Sequence, residues 1–193
     1  MVEPLGDRAI RFPRPAGVPV RAIVRAVRAW PGVIDVVVAR DDVAAYFAAA
    51  PAYDAAQIAA LGGLADVAEP VRDLELRVVY DGEDLDAVAR AVARSVDEVI
   101  AAHAAGAYVV ETMGFQPGFA YLAGLDPRLA LPRRATPRTR VPAGTLAIAA
   151  GYTAVYPFDS PGGWHLIGRV TDGPMFDERG PRLRIGDRVR FRA

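Results

Sequence analysis

The spacing of hydrophobic residues predicts two kinds of element in the first 80 residues. Between residues 18 and 30, apolar side chains recur every three or four positions, which predicts an amphipathic helix with Pro19 in its first turn. A second helix is expected at residues 53–64. Short apolar runs predict strands at residues 7–12, 33–38, 44–49 and 74–80. We therefore interpret residues 1–80 as a small N-terminal α/β domain.

The pattern changes after residue 80. Asp84 precedes a helical run at residues 85–93 as a candidate N-cap, and Ser95 with Glu98 has the spacing of a capping box that opens a further helix. Beyond residue 107, short β-branched or apolar runs at 108–112, 145–149, 153–156, 164–170 and 188–191 alternate with Gly and Pro. These runs predict a barrel or sandwich within residues 81–193, so the expected fold class is α+β.

Composition excludes several classes of protein. Of the 193 residues, 52% are hydrophobic and 24% are charged, as in ordinary folded domains. The 23 basic residues balance 23 acidic ones, so no domain-wide positive field exists to hold nucleic acid. The absence of cysteine rules out disulfides, thiolate nucleophiles and zinc–thiolate sites.

Membrane and export signals are not found either. No apolar run reaches the roughly 18–20 residues that span a bilayer. The first residues lack the basic and apolar regions of a secretory signal. We therefore expect a cytoplasmic protein without a membrane partner.

The first unusual stretch is residues 114–122, here called the aromatic segment. It places Phe115, Phe119 and Tyr121 around Pro117 and Gly118. Glycine permits close backbone approach, and the rings offer flat apolar walls to a small ligand or a partner. The same rings also suit a purely structural role, in which they pin a loop onto a barrel.

The second stretch is residues 131–142, here called the arginine segment. Its prolines hold the chain extended while Arg133, Arg134, Arg138 and Arg140 project from it. Guanidinium groups bind a carboxylate or phosphate by paired hydrogen bonds. A solvated loop or an ion-paired interface is the alternative interpretation.

The third stretch is residues 159–169, here called the glycine turn, with a Gly-Gly pair that leads into a strand. Ser160 and His165 lie in it, so a hydrolytic serine would have to be Ser160 with His103 or His165 as its base. No G-x-S-x-G motif supports that arrangement. Neither histidine lies in a metal-binding motif, and a chain without lysine has no Walker-type phosphate loop.

Taken in this order, the three segments resemble the signature of one family. Its members include the B-type subunit of 5-oxoprolinase, the kinase inhibitor KipI and one half of the carboxyltransferase domain of urea carboxylase, also labelled allophanate hydrolase subunit 1. The resemblance covers nearly the whole chain and is strongest from Gly114 to Arg169. Shorter matches at residues 5–9 and 80–89, and at His103 with Tyr108, support it.

The resemblance implies that the barrel is cyclophilin-like and that the chain works in a heteromer. The implied partners are a larger C-type subunit with a related barrel and, for 5-oxoprolinase, an A-type subunit. The assembled hydrolase opens the cyclic amide of 5-oxoproline to glutamate with ATP as co-substrate. Little activity is expected without the partners, and no protein-bound metal or covalent cofactor is expected.

The family's motifs also imply site residues in this chain. Arg133, Arg134 and Arg138 are expected to hold the substrate carboxylate or a phosphate, and Tyr121 and His165 to provide hydrogen bonds or proton transfer. The other implied binding residues are Phe115, Pro117, Gly118, Phe119, Ser160, Gly162, Gly163, Trp164 and Arg169. Many relatives carry Gly-Gly-Gln-Thr-Gly where this chain has Ala-Gly-Tyr-Thr-Ala at residues 150–154.

Two other functions are compatible with the resemblance. A carboxyltransferase or allophanate-pathway component would require a biotin-carrying partner, because this chain has no lysine to carry biotin. A KipI-like regulator would bind a histidine kinase through its surface and would need no turnover.

Overall fold

The structure is a computed structural model, and it describes residues 1–65 and 71–193. The chain divides into two compact units, and the second unit begins at Val71. We expected the boundary at residue 80. It lies earlier because the strand Asp73–Val79 pairs with strands of the second unit.

The first unit is a four-stranded antiparallel sheet with a helix packed on it. Its elements are β1 (Glu3–Pro4), β2 (Ala9–Pro13), α1 (Val20–Arg28), β3 (Val33–Val38), β4 (Asp42–Phe47) and α2 (Ala55–Ala60). The strand order is β1-β2-β4-β3. Helix α1 buries Ile23 and Val27 completely, and Phe12 packs on Trp30 with ring centroids 5.8 Å apart. The expected α/β character of this unit is thus confirmed.

The second unit is built around a closed barrel. Its helices are α3 (Leu85–Ala91) and α4 (Val96–Ala104). Its strands are β5 (Asp73–Val79), β6 (Tyr108–Met113), β7 (Ala120–Ala123), β8 (Arg138–Val141), β9 (Thr145–Ala149), β10 (Tyr152–Val155), β11 (Ser160–Gly162), β12 (His165–Val170), β13 (Phe176–Asp177), β14 (Gly180–Pro181) and β15 (Arg188–Arg192). The barrel order is β10-β7-β6-β15-β5-β12-β9, and β15 runs parallel to β5. The α+β class with a barrel is confirmed.

Strand β9 is buried on both faces. Leu146 and Ile148 point into the main core of the unit, whereas Ala147 and Ala149 belong to a second apolar cluster on the other face. The small alanine side chains leave room there for larger rings, including Trp164. The barrel wall therefore supports a separate aromatic layer on the side away from the main core.

A buried histidine joins three elements of the second unit. His103 is fully buried; its Nδ1 lies 2.8 Å from the Tyr80 hydroxyl and its Nε2 lies 2.9 Å from the Thr153 hydroxyl. Burial lowers the pKa of His103 to about 3, so the imidazole is neutral at neutral pH. The Thr153 hydroxyl donates to the Ala147 carbonyl at 3.0 Å and therefore accepts from Nε2–H, which leaves Nδ1 to accept from the Tyr80 hydroxyl.

A buried carboxylate ties together the turn before α3, the arginine segment and β12. One oxygen of Asp84 accepts from Arg134 Nη1 at 2.9 Å and from Arg138 Nη2 at 2.7 Å. The other oxygen accepts from the Leu166 amide at 2.8 Å. Asp84 occupies the N-cap position of α3, as predicted, but its side chain makes no cap hydrogen bond because the arginines and Leu166 use it.

Two glycines allow the turn to approach β12 this closely. A Cβ atom at Gly82 would collide with the Leu166 carbonyl, and one at Gly168 would collide with the Val79 carbonyl. Burial by itself raises the pKa of the Asp84 carboxyl, but the Arg138 and Leu166 hydrogen bonds and the charges of both arginines outweigh burial and lower that pKa.

The first prediction concerns His103 and pH. The unfolded chain takes up a proton on this imidazole below about pH 6.5 and the folded protein does not, so stability is lost as pH falls below 6.5. The loss approaches about 1.4 kcal/mol per pH unit for one proton. Urea unfolding at pH 7.5, 6 and 5 measures it. His103→Gln should flatten the slope between pH 6.5 and 5, and a variant with the wild-type slope would contradict the assignment.

The second prediction concerns Asp84. Asp84→Asn leaves Arg134 without a carboxylate and Arg138 with only the exposed Glu83. The free energy of unfolding should therefore fall by about 2–4 kcal/mol, with part of the loss screened because Arg134 is 35% exposed. The matched control is Asp81→Asn, which removes the exposed pair with Arg169 and should change the value by less than about 1 kcal/mol. An equal fall in the free energy of unfolding in the two variants would contradict the structural role of the Asp84 ion pairs.

Candidate functional site

The three unusual segments of the sequence meet at one cavity in the second unit. The cavity has a volume of about 270 Å³. The residues that line it are Phe115, Phe119, Tyr121, Arg133, Pro137, Tyr156, Pro161, Gly162, Gly163 and Trp164. Its volume lies below the range of about 300–1,000 Å³ that is typical of pockets for drug-sized ligands, so it suits a small molecule.

The wall of the cavity is a set of edge-to-face aromatic contacts centred on Phe119. The ring centroid of Phe119 lies 5.0 Å from that of Tyr121, 5.3 Å from that of Tyr156 and 5.7 Å from that of Trp164. Phe119 itself is 1% exposed. Such contacts favour a single arrangement of the rings, so the wall is preformed.

Phe115 stands at the rim of this wall. It is 62% exposed and has a φ of 72°, a left-handed conformation that is strained for a bulky residue. Its ring meets that of Phe119 at 5.3 Å. Strained, exposed rings of this kind occur at ligand-binding sites more than elsewhere.

The glycine turn is shaped by Tyr156. A Cβ atom at Gly162 would collide with the Tyr156 hydroxyl, so a glycine is required there. Burial raises the pKa of Tyr156, although the Trp164 amide and the Arg133 charge act against that rise. The hydroxyl therefore keeps its proton at neutral pH and is a hydrogen-bond donor at the cavity wall.

The arginines divide into two groups. Arg134 and Arg138 are held by Asp84, and Arg138 also bonds Glu83 at 2.6 Å. Arg133, in contrast, is exposed, lines the cavity and has no hydrogen bond or ion pair within residues 1–65 and 71–193. Of the three arginines expected to bind an anion, Arg133 is the one that the structure brings to the cavity.

Arg169 lies outside the cavity lining as well. Its Nε donates to the Asp81 carboxylate at 2.8 Å, and both side chains are largely exposed. This pair joins β12 to the turn after β5. The structure gives Arg169 a surface position and no contact with the cavity.

The two residues expected to transfer protons are placed differently. Tyr121 lines the cavity, with its ring centroid 5.8 Å from that of Trp164. His165 does not line it, and its Nε2 lies 2.9 Å from the Pro132 carbonyl oxygen. That hydrogen bond fixes the backbone next to Arg133, which suits a positioning role for His165.

Some expected binding residues support the cavity without lining it. Ser160 opens β11, and its hydroxyl oxygen is buried without a hydrogen-bond partner in the described residues, so neither histidine activates it. Gly118 has a φ of 78° and packs against Phe176. Pro117 precedes it and also stays outside the lining.

Sequence reasoning missed Tyr156 as a site residue. It lies at the end of a predicted strand, where an aromatic residue is typical of a core position. No local signal marks it as a cavity residue, because Gly162, the glycine that makes room for its hydroxyl, is on another segment.

Residues 150–154, where this chain differs from many relatives, lie outside the cavity lining. Tyr152 donates to Glu111 at 2.5 Å, and its ring centroid lies 5.9 Å from that of Tyr121. Tyr152 therefore packs against a cavity residue without lining the cavity itself.

Residues 1–65 and 71–193 contain no group of three or more His, Asp or Glu side chains placed to hold a metal ion. None of the helices in those ranges is long and apolar enough to cross a bilayer.

Three curated relatives, each a B-type subunit of 5-oxoprolinase, are similar to this chain. The relative from Haemophilus influenzae is 45% identical over 62% of the chain, that from Bacillus subtilis 43% over 66%, and that from Escherichia coli O157:H7 46% over 62%. The aligned regions cover 57–59% of the length of these relatives. The chain thus spans less than two thirds of their length.

Solved structures share the fold. The match to the protein TTHA0988 covers 100% of this chain and 40% of the TTHA0988 chain, with a TM-score of 0.78 and 37% identity. PH0987 from Pyrococcus horikoshii matches over 100% and 96% of the two chains, with a TM-score of 0.59 and 28% identity. The urea amidolyase of Kluyveromyces lactis, at 18% identity and a TM-score of 0.71, shows a similar fold alone.

The family suggested by the three segments is confirmed by a match to the family model over residues 2–183. The chain belongs to the family described as carboxyltransferase domain, subdomain C and D.

Proposed function

We propose that this chain acts as the B-type subunit of an ATP-dependent 5-oxoprolinase and that its aromatic cavity contributes to the substrate site. Relatives that carry that name, at 43–46% identity, support the proposal. The observation that carries it is an arginine without an internal partner in the described residues, at the edge of a small cavity walled by aromatic rings.

The chemistry of 5-oxoproline fits this cavity. Its ring is small and nearly flat, so it packs against Tyr121 and Trp164, while its carboxylate pairs with the Arg133 guanidinium. We assign to the Tyr121 hydroxyl, on a residue that lines the cavity, a hydrogen bond donated to the amide carbonyl oxygen. Hydrolysis breaks the ring C–N bond and adds water across it, and a donor at that oxygen stabilises the negative charge that develops there.

The reaction proposed here also calls for partner subunits. An amide is stabilised by resonance, so its opening is coupled to ATP hydrolysis, and the described residues offer neither a metal cluster nor an activated serine for that step. We therefore assign the remaining groups to a C-type and an A-type subunit. The chain alone is expected to be inactive.

Reconstitution tests the proposal. Glutamate is measured from 5-oxoproline and ATP with this chain, a C-type and an A-type subunit, and with each protein omitted in turn. Glutamate that forms only with the complete set supports the proposal. A stable complex without turnover would contradict it and would favour another amide substrate, a carboxyl transfer or a regulatory role.

The third prediction concerns Arg133. Arg133→Ala should raise the KM for 5-oxoproline at least about tenfold in the assembled enzyme, because a charge-assisted hydrogen bond to the substrate is lost. Arg133→Lys should recover part of the loss by keeping the charge. Steady-state kinetics measure both.

The matched control is Arg140→Ala in the same segment. Arg140 is paired with Asp159 at the surface and does not line the cavity, so KM should stay unchanged. If Arg140→Ala raised KM as much as Arg133→Ala, the effect would be one of overall charge, and the cavity assignment would be wrong.

A further inference from the structure

A second cavity, separate from the aromatic one, lies beside the β13–β14 hairpin. Its volume is about 400 Å³. The residues that line it are Arg72, Asp172, Gly173, Pro174, Asp177, Arg179, Gly180, Pro181, Arg182 and Arg184. Among the described residues, the lining has four arginines and two aspartates. Asp187 pairs with Arg72 beside it, so the local net charge is +1, in a chain whose net charge is zero.

Two of these arginines are held in fixed orientations. Arg72 donates from Nε to Asp187 at 2.9 Å and pairs a second nitrogen with the same carboxylate, which is 6% exposed. Arg182 donates to both oxygens of Asp172, at 3.0 and 2.9 Å. Bidentate pairing reduces the entropy that each guanidinium loses when it binds a further group.

The two arginines are also tied to each other. Arg72 donates to the Arg182 carbonyl at 3.1 Å, and the Arg182 amide donates to the Met175 carbonyl at 2.9 Å. Met175 and Leu183 are buried in the main core. The hairpin that carries the cavity wall is therefore anchored to the barrel on both of its sides.

Arg184 supplies a positive charge that no described residue pairs. Its side chain has no hydrogen bond or ion pair in the part of the chain that the structure describes, although its amide bonds Asp187 at 2.7 Å. A fixed backbone therefore holds an unpaired guanidinium at the cavity. The fourth arginine, Arg179, pairs with Asp177 at the rim, where its side chain is 91% exposed.

We propose that this cavity binds an oligophosphate group. One phosphate pairs with the unpaired Arg184, and further phosphate oxygens accept from N–H groups of Arg72 and Arg182 that their aspartates leave free. A single carboxylate would leave most of the 400 Å³ and two of the three arginines unused. No aromatic side chain is found in the described lining, so nothing there recognises a base. The phosphate chain is the group recognised, whether it is free or part of a nucleotide. The inference does not rest on the proposed function.

The fourth prediction is a binding experiment on the full chain without partners. Isothermal titration calorimetry with inorganic triphosphate should show one site, with affinity that falls as salt is raised. Arg184→Ala should weaken binding about tenfold, because a charged hydrogen-bond donor is lost.

The control is Arg190→Ala, which removes one positive charge from β15 outside the cavity and should leave the affinity unchanged. ATP is titrated in parallel. If Arg184→Ala weakens the binding of ATP as well as that of triphosphate, the cavity also takes nucleotides. If the affinity for ATP does not change, the cavity is assigned to free oligophosphate. Absence of triphosphate binding, or equal weakening by Arg190→Ala and Arg184→Ala, would overturn the proposal.

Discussion

The structure of the second unit depends on the buried carboxylate of Asp84. It accepts hydrogen bonds from two arginines and from the Leu166 amide. These bonds fix the turn before α3, the extended arginine segment and the start of β12 relative to one another. A buried carboxylate is costly unless its oxygens are satisfied, so the loss of any partner leaves the others without compensation.

This constraint also decides the chemistry of the aromatic cavity. Asp84 pairs with Arg134 and Arg138, and Glu83 also pairs with Arg138, so two carboxylates balance these two guanidiniums within the fold. Arg133 follows the same backbone but points to the cavity, where no carboxylate meets it in the described residues. Of the four arginines in this segment, three are thus paired with carboxylates, and Arg133 is the proposed binding cation. The ligand proposed for the aromatic cavity is accordingly small and flat.

Local sequence signals were sufficient for much of the fold. Strands β3 and β9 match the predicted ranges, and the capping box at Ser95 is present. Each of these depends on residues within a few positions of one another. Strand β7 was missed because its residues lie within a stretch rich in glycine, proline and aromatic rings, where no alternation is visible.

The functional residues were only partly predictable, because their roles depend on distant partners. The sequence places Arg133, Arg134 and Arg138 together. Which of them form ion pairs and which lines the cavity depends on Asp84, about fifty residues away along the chain. The boundary between the two units lies at residue 71 rather than at the expected residue 80 for a similar reason. Strand β5 follows the first unit in sequence but pairs with β12 and β15, and strand pairing is not encoded locally.

The most direct test of this account is a crystal structure of the assembled subunits with 5-oxoproline bound. The account predicts the substrate carboxylate within about 3 Å of the Arg133 guanidinium, the ring against Tyr121 and Trp164, and the Asp84 ion pairs intact. A carboxylate bound to Arg134 or Arg138 with those pairs broken, or a substrate bound away from this cavity, would contradict it.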